Sequence, residues 1–332
     1  LESLKEAGFD ITVFDGVTAD PSENVLTHAV RIARQRKVDI VLGLGGGSSM
    51  DVAKLVSVLV VSEQQLSELY GLDRIKGRRI PLVQMPTTAG TGSEVSNISI
   101  LTRGESEKSG IVSHQLFADR VLLDAELTCD MPPPLTAATG IDAIVHAIEA
   151  YTSQNRKNPM SDMLAREALR LMMSNLITAC RVGRDRDARE AMMLGASLAG
   201  QAFVNAPVAA VHALAYPLGG HFHIAHGQAN ALMLMPVLRF NMPVVSQLYA
   251  ELGDAIEGPS SASAADQAEA FLTLVRQLLV DSGCPLRLRE VGVPEASLPE
   301  LAQDAMLQSR LLQNNPRAVT EEDALSLYRE AF

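Results

Sequence analysis

Val41-Leu42-Gly43-Leu44-Gly45-Gly46-Gly47-Ser48 is the stretch whose reading decides the fold. Its apolar residues read as a buried strand that runs straight into consecutive glycines, and a helix begins near Met50. A turn of this kind lets backbone N–H groups approach a pyrophosphate, and the helix N-terminus behind it adds partial positive charge. It is neither a G-x-G-x-x-G turn nor a Walker loop with its Lys-Ser/Thr pair. On these eight residues alone, a phosphate cradle and a merely tight turn are both open.

Outward from that turn, residues 11–14, 40–44, 82–85 and 121–123 read as buried strands. Between the first two, 25–37 carries Val25, Ala29, Ile32 and Ala33 on one helix face; after Gly47, a second helix runs through Val52, Leu55, Val56 and Leu59. Strands alternating with helices predict a parallel, Rossmann-like α/β sheet. A second polar run, Pro86-Thr87-Thr88-Ala89-Gly90-Thr91-Gly92-Ser93-Glu94, again follows a strand, and its hydroxyls can donate to phosphate and ribose oxygens. Two such loops at the carboxyl ends of strands lie where open sheets bind ligands.

The texture changes after Asp130. Met131-Pro132-Pro133-Pro134 punctuates the chain, and Ala, Leu, Met and Glu dominate from there on. Helices are expected over 137–151, 160–180, 186–204, 209–218, 228–239, 264–281 and 321–331, so the reading is an α/β domain over 1–130 and an all-helical domain over 131–332. In Gly140-Ile141-Asp142-Ala143-Ile144-Val145-His146-Ala147-Ile148-Glu149-Ala150-Tyr151, Asp142 and His146 stand four apart on one helix face. His212 lies in another helical run, and His226 follows the break expected at Gly219-Gly220. A lone histidine in an apolar helix is usually a satisfied core residue, yet five of the chain's seven histidines fall between His146 and His226. Three imidazoles and a carboxylate suit a divalent transition metal with room left for a substrate oxygen. His221 and His223 have weaker claims, and Glu149 is either a partner of the ligands or a surface acid.

Composition narrows the partners. The 332 residues carry 39 acidic against 28 basic side chains, a net charge of -11 that repels nucleic acid, and Lys76-Gly77-Arg78-Arg79 is too small a cluster to reverse it. No apolar stretch approaches the about 20 residues of a membrane span, and no signal segment is read at the start, so a cytoplasmic protein without membrane association is expected. Cys129, Cys180 and Cys284 lack CxxC pairing and read as buried thiols.

Together, Gly45-Gly46-Gly47-Ser48-x-x-Asp51-x-Ala53-Lys54, the 86–94 run, Gly140-x-Asp142-x-x-x-His146-x-x-Glu149-x-Tyr151, and His212 with His226-Gly227 resemble the iron-containing (group III) alcohol dehydrogenases. The resemblance covers nearly the whole chain, in order. It implies the dehydroquinate synthase-like architecture, a nucleotide domain and a helical domain with a cleft between them, usually as a homo-oligomer such as a dimer. It implies Fe²⁺ on Asp142, His146, His212 and His226, with Zn²⁺ as a possible replacement. It implies NAD or NADP at Gly46, Gly47, Ser48, Asp51, Thr87, Thr88, Lys108 and Leu127. The activity implied is reversible hydride transfer between that cofactor and a small alcohol or aldehyde.

This chain departs from the pattern in three places. Relatives begin with a further strand-helix-strand portion that bears on NAD against NADP, and this sequence reads as starting after it. Asp20 stands where many relatives carry Asn. Tyr216, one turn after His212, stands where many carry another His. A phenol with an ordinary pKa near about 10 relays protons poorly at neutral pH, so Tyr216 is expected to shape the pocket. Hydroxyacid-oxoacid transhydrogenases and maleylacetate reductases are the nearest alternatives. A lyase like the dehydroquinate synthases and a non-catalytic metal-binding protein are more distant ones. If the glycine turn cradles the cofactor, Gly47→Val raises its Kd at least roughly tenfold, about 1.4 kcal/mol, by titration. Unchanged affinity in a folded variant leaves the turn structural.

Overall fold

The glycine turn sits at the end of an edge strand. A computed structural model describes residues 2–104 and 107–332. Helices α1 (Glu2–Glu6) and α2 (Glu23–Arg36) precede β1 (Val41–Gly45), which leads into α3 (Gly47–Leu59). The remaining strands among the described residues are β2 (Gly71–Leu72), β3 (Leu82–Pro86), β4 (Ile98–Arg103), β5 (Glu107–Val112) and β6 (Arg120–Val121). One sheet has the order β1-β3-β6 and is parallel throughout. A second has the order β2-β5-β4, with β4 and β5 antiparallel, and was not expected from the sequence.

Two expectations about strands need correction. Residues 11–14 form no strand, and Val13 is 58% exposed; an apolar run becomes a strand only where a neighbour takes up its backbone groups. Nor is β1 buried on both faces, because Leu42 and Leu44 are exposed while Gly43 is buried and Val41 packs partly buried against the core. The core beneath is built from Leu26 and Val30 of α2, Val52, Leu55 and Leu59 of α3, and Leu101 and Ile111. At the turn, Gly45 has φ +151°, and a Cβ there would lie 2.6 Å from Ser49 Oγ, so a side chain is excluded. Gly46, the N-cap of α3, has φ -75°, which any residue adopts, so backbone geometry does not require glycine there.

A fully buried lysine ties α3 to the second sheet. Lys54 Nζ donates to Ser93 Oγ (2.8 Å), Ser96 Oγ (3.1 Å) and the Ile98 carbonyl (2.7 Å), and pairs with Asp51 Oδ1 at 3.3 Å. Asp51 in turn accepts from Ser93 Oγ at 2.6 Å and from the Ile100 N–H at 2.9 Å. Burial pushes the Lys54 pKa down, while Asp51 and then Glu94 counter it. Every hydrogen of the ammonium has an oxygen to meet, which is what makes such burial tolerable.

The chain divides into two compact units, Leu1–Pro86 with Ser93–Leu122, and Thr87–Gly92 with Leu123–Phe332. In the second, Pro133 and Pro134 occupy the first turn of α4 (Pro133–Thr152), where their missing N–H groups have no helical partner anyway. α4 is buried almost throughout its length and packs against α5 (Pro159–Arg181), α6 (Arg186–Asn205) and α8 (His226–Glu257), with α7 (Ala210–Phe222) against α8. Helices α9 (Ala264–Ser282), α10 (Leu298–Met306), α11 (Ser309–Leu312) and α12 (Glu321–Ala331) complete it. Gly219 and Gly220 lie inside α7, contrary to the expected break, which falls instead at His223 in the left-handed conformation (φ 54°). α8 runs far beyond residue 239, with a kink at Val245. It is long and apolar enough to cross a membrane, but half of its most apolar window is buried inside the protein, against α4, α7 and α9. Of the cysteines only Cys180 is buried, which corrects the reading of all three as core thiols.

Replacing Lys54 by Met strands the Asp51 carboxylate beside Ser93. Loss of one partner of a buried pair costs about 3–5 kcal/mol, so the variant is expected to unfold at markedly lower denaturant, as followed by circular dichroism.

Candidate metal centre

Three ionisable side chains lie along one face of the buried helix α4. Asp142, His146 and Glu149 occupy positions i, i+4 and i+7 and are 2%, 5% and 4% exposed. Groups of this kind persist in an apolar interior only when they answer one another. α7 supplies the answer with His212, and α8 begins with His226. The close approach of α8 to α4 is set by Gly227, where a Cβ would stand 2.1 Å from the Ala138 carbonyl oxygen. A side chain there would push His226 away from Asp142.

The imidazole Nε2 atoms of His146, His212 and His226 lie 3.8, 3.7 and 3.5 Å from Asp142 Oδ1. Ligand atoms of Asp142, His212 and His226 all fall within 4.8 Å of one another. His146 stands at the side of this trio, its ring stacked on His212 with centroids 4.8 Å apart and backed by Phe203 at 4.6 Å. Glu149 Oε2 is 2.6 Å from His212 Nδ1, and its Oε1 accepts from the Val211 N–H at 2.6 Å. With Nδ1 taken by the Glu149 carboxylate, the Nε2 atom of His212 is the one directed at Asp142. Asn230, one turn after His226, donates through Nδ2 to Asp142 Oδ1 at 2.6 Å.

Electrostatics fit a cation. Burial would raise the pKa of Asp142, but His146, His226 and His212 outweigh it and hold the carboxylate well below its usual range. Burial also acts on His212, yet Glu149 and Asp142 push it up to about 9. The negative field that draws a proton there draws a metal ion equally. His146 goes the other way: burial, helped by the neighbouring histidines, lowers it to about 3, which leaves a neutral ring with its lone pair available. Its Nδ1 has no hydrogen-bond partner among the described residues; the Gly90 backbone favours the charged ring slightly but lies outside hydrogen-bond geometry. One carboxylate oxygen and three imidazole nitrogens are a donor set that Fe²⁺ or Zn²⁺ can take. His226 is the ligand candidate that reaches solvent, with its side chain 37% exposed, and the Tyr216 ring lies 5.8 Å from it.

Residues singled out for the cofactor are distributed over both units. Gly46, Gly47 and Ser48 form the N-terminus of α3, with Asp51 one turn further on and engaged by Ser93, Lys54 and Ile100. Lys108 on β5 pairs with Asp20, Nζ to Oδ1 2.8 Å. Thr87 and Thr88 begin the segment assigned to the helical unit, and Leu127 lies in a 3₁₀ turn, Ala125–Thr128, 37% exposed. His221 pairs with Asp304 at 2.6 Å and His223 caps α7, so neither joins the cluster. Asn230 escaped the sequence reading, although its i+4 spacing from His226 was the signal that could have found it.

The model for the iron-containing alcohol dehydrogenases matches residues 1–125, and the model for the C-terminal part of the Fe-containing alcohol dehydrogenase family matches 136–332. The chain belongs to the iron-containing alcohol dehydrogenase family. It is 42% identical to long-chain-alcohol dehydrogenase 1 of Geobacillus thermodenitrificans, over 99% of this chain and 84% of that protein. The crystal structure of a 1,3-propanediol oxidoreductase superposes with a TM-score of 0.96 at 35% identity, covering 100% of this chain and 87% of that one. Sulfoacetaldehyde reductase of Bifidobacterium kashiwanohense, solved in complex with NAD⁺, gives a TM-score of 0.87 at 28% identity, over 99% and 86%. The α/β part with its parallel sheet and the mostly helical remainder are this family's fold, and the chain is an oxidoreductase of the same kind.

Proposed function

We propose that this enzyme moves a hydride reversibly between NAD(P) and a small alcohol or aldehyde, with a divalent ion held by Asp142, His146, His212 and His226. The observation that carries this reading is the convergence of three imidazole Nε2 atoms within 3.8 Å of one buried carboxylate oxygen. When bound, the ion supplies Lewis acidity to the reacting oxygen and the nicotinamide exchanges the hydride. Glu149 fixes the tautomer and direction of His212, and the Phe203 ring and the apolar length of α4 keep water from the inner side. Gly46, Gly47 and Ser48 take the pyrophosphate at the N-terminus of α3, and Thr87, Thr88, Asp51, Lys108 and Leu127 belong to the same cofactor reading. Asp51 acts there through its neighbours, since its carboxylate is held by Ser93 and Ile100.

Tyr216 shapes the substrate end of the site and hydrogen-bonds the substrate or a water. Its ring lies near His226 and it packs, half-buried, against the helical core. The division into a nucleotide domain over 1–130 and a metal-binding domain over 131–332, a homo-oligomer such as a dimer, and a cytoplasmic setting belong to the same reading, supported by family membership.

The direct test follows reduced-nicotinamide absorbance with metal-loaded enzyme and a panel of short alcohols, aldehydes and hydroxy acids. Turnover confined to alcohols and aldehydes supports the proposal; turnover only with a carboxylate substrate, or none at all, overturns it. With an active substrate in hand, Tyr216→Phe is expected to lose less than about tenfold in kcat, whereas a loss of roughly 10²-fold or more would make Tyr216 a general acid or base.

A further inference from the structure

Asp20 adopts the left-handed conformation, with φ 52°. Aspartate and asparagine both reach that conformation more readily than other side chains, so the turn does not need the charge. Its backbone is fixed independently of its carboxylate. The Asp20 carbonyl accepts from Thr102 Oγ1 at 3.1 Å, the Pro21 carbonyl accepts from the Thr102 N–H at 2.9 Å, and Ser22 bridges to Thr102. The carboxylate itself meets Lys108 Nζ at 2.8 Å, and Lys108 stands directly across from Thr102 in the β4–β5 ladder.

The two partners are unequally enclosed, the Lys108 side chain being 24% exposed and that of Asp20 65%. Of the pair, the carboxylate is the member that can turn into water at little cost. Two residues back along β4, the Ile100 N–H binds Asp51 Oδ2 in α3. At about 3.3 Å per residue, the ion pair lies about 7 Å along the strand from that contact, on the strand that borders the first turns of α3. We propose that Asp20 competes with the dinucleotide for the Lys108 ammonium and so sets how tightly the cofactor is held. The inference rests on the cofactor reading above, in which Lys108 is a contact, and deepens it. An anionic dinucleotide meets a lysine whose charge is already answered, and binding requires Asp20 to give up the ammonium. The cofactor is then held more loosely than Lys108 alone would hold it, which eases its exchange between turnovers. The rival role, a carboxylate that keeps Lys108 in the posture that meets the cofactor, makes the opposite demand on a substitution.

Asp20→Asn keeps the shape and the left-handed backbone and removes the charge, whereas Lys108→Met removes the ammonium. The measurement is the Kd of NADH or NADPH, whichever binds more tightly, by nicotinamide fluorescence at low ionic strength. It is made on the parent, both single variants and the double variant, with folding checked by circular dichroism. Competition predicts that Asp20→Asn lowers the Kd about threefold, about 0.7 kcal/mol, in the range of a part-exposed ion pair. It also predicts that Lys108→Met costs more affinity in the Asp20→Asn background than in the parent, because the lysine is unoccupied there before the cofactor arrives. A positioning role predicts a raised Kd in Asp20→Asn, and simple charge repulsion predicts the same tightening with and without Lys108. Either of those results, or an unchanged Kd in Asp20→Asn, overturns the proposal. Should Lys108→Met fail to fold, Lys108→Gln takes its place in the cycle. A parent protein that binds neither dinucleotide would overturn the cofactor reading itself, and this inference with it.

Discussion

The Asp142 carboxylate is almost wholly removed from water, in the middle of a helix whose neighbours are apolar, and burial alone would drive it to take up a proton. It stays ionised because three imidazoles and an amide surround it. Much of the helical unit is arranged around that requirement. α4 must carry its Asp and His on one face, α7 must present His212, and α8 must start close enough for His226 to arrive. Gly227 allows that approach, and Glu149 turns His212 so that its Nε2 faces inward. The inner side of this cluster is buried, and His226 is its solvent-reaching edge.

The other unit meets a similar problem with a different solution. Lys54 is buried on α3, and its charge is answered by Asp51 and by oxygens of Ser93, Ser96 and Ile98. That set fastens α3 to the residues that lead into β4.

Much of this was legible in the sequence. Periodicity located α2 through α7 and α9 closely, because apolar spacing and helix packing ask for the same residues. The Asp142 to His146 spacing was readable because both sit on one helix; the arrival of His212 and His226 was inferred from residue type and from resemblance, since long-range contacts leave no local period. Residues 11–14 misled because an apolar run carries no information about whether a strand lies beside it. Gly219 and Gly220 misled because glycine weakens a helix without forbidding it when packing holds the segment. Asn230 was overlooked because an asparagine in an apolar helix looks like a local defect until three-dimensional neighbours reveal its partners. Asp51 looked like a cofactor contact, and only the structure shows how fully Ser93 and Ile100 engage it.

The central claim is that Asp142 and the three histidines are a metal site rather than a self-satisfied polar core. Metal content decides it most directly. Protein prepared without oxygen and supplied with iron is expected to hold about one equivalent, or zinc in its place where zinc competes, because zinc binds such ligands more tightly. After dialysis against a chelator, His226→Ala is expected to keep its fold by circular dichroism and to retain almost no metal. A full equivalent still tightly held by the folded His226→Ala variant would contradict the account.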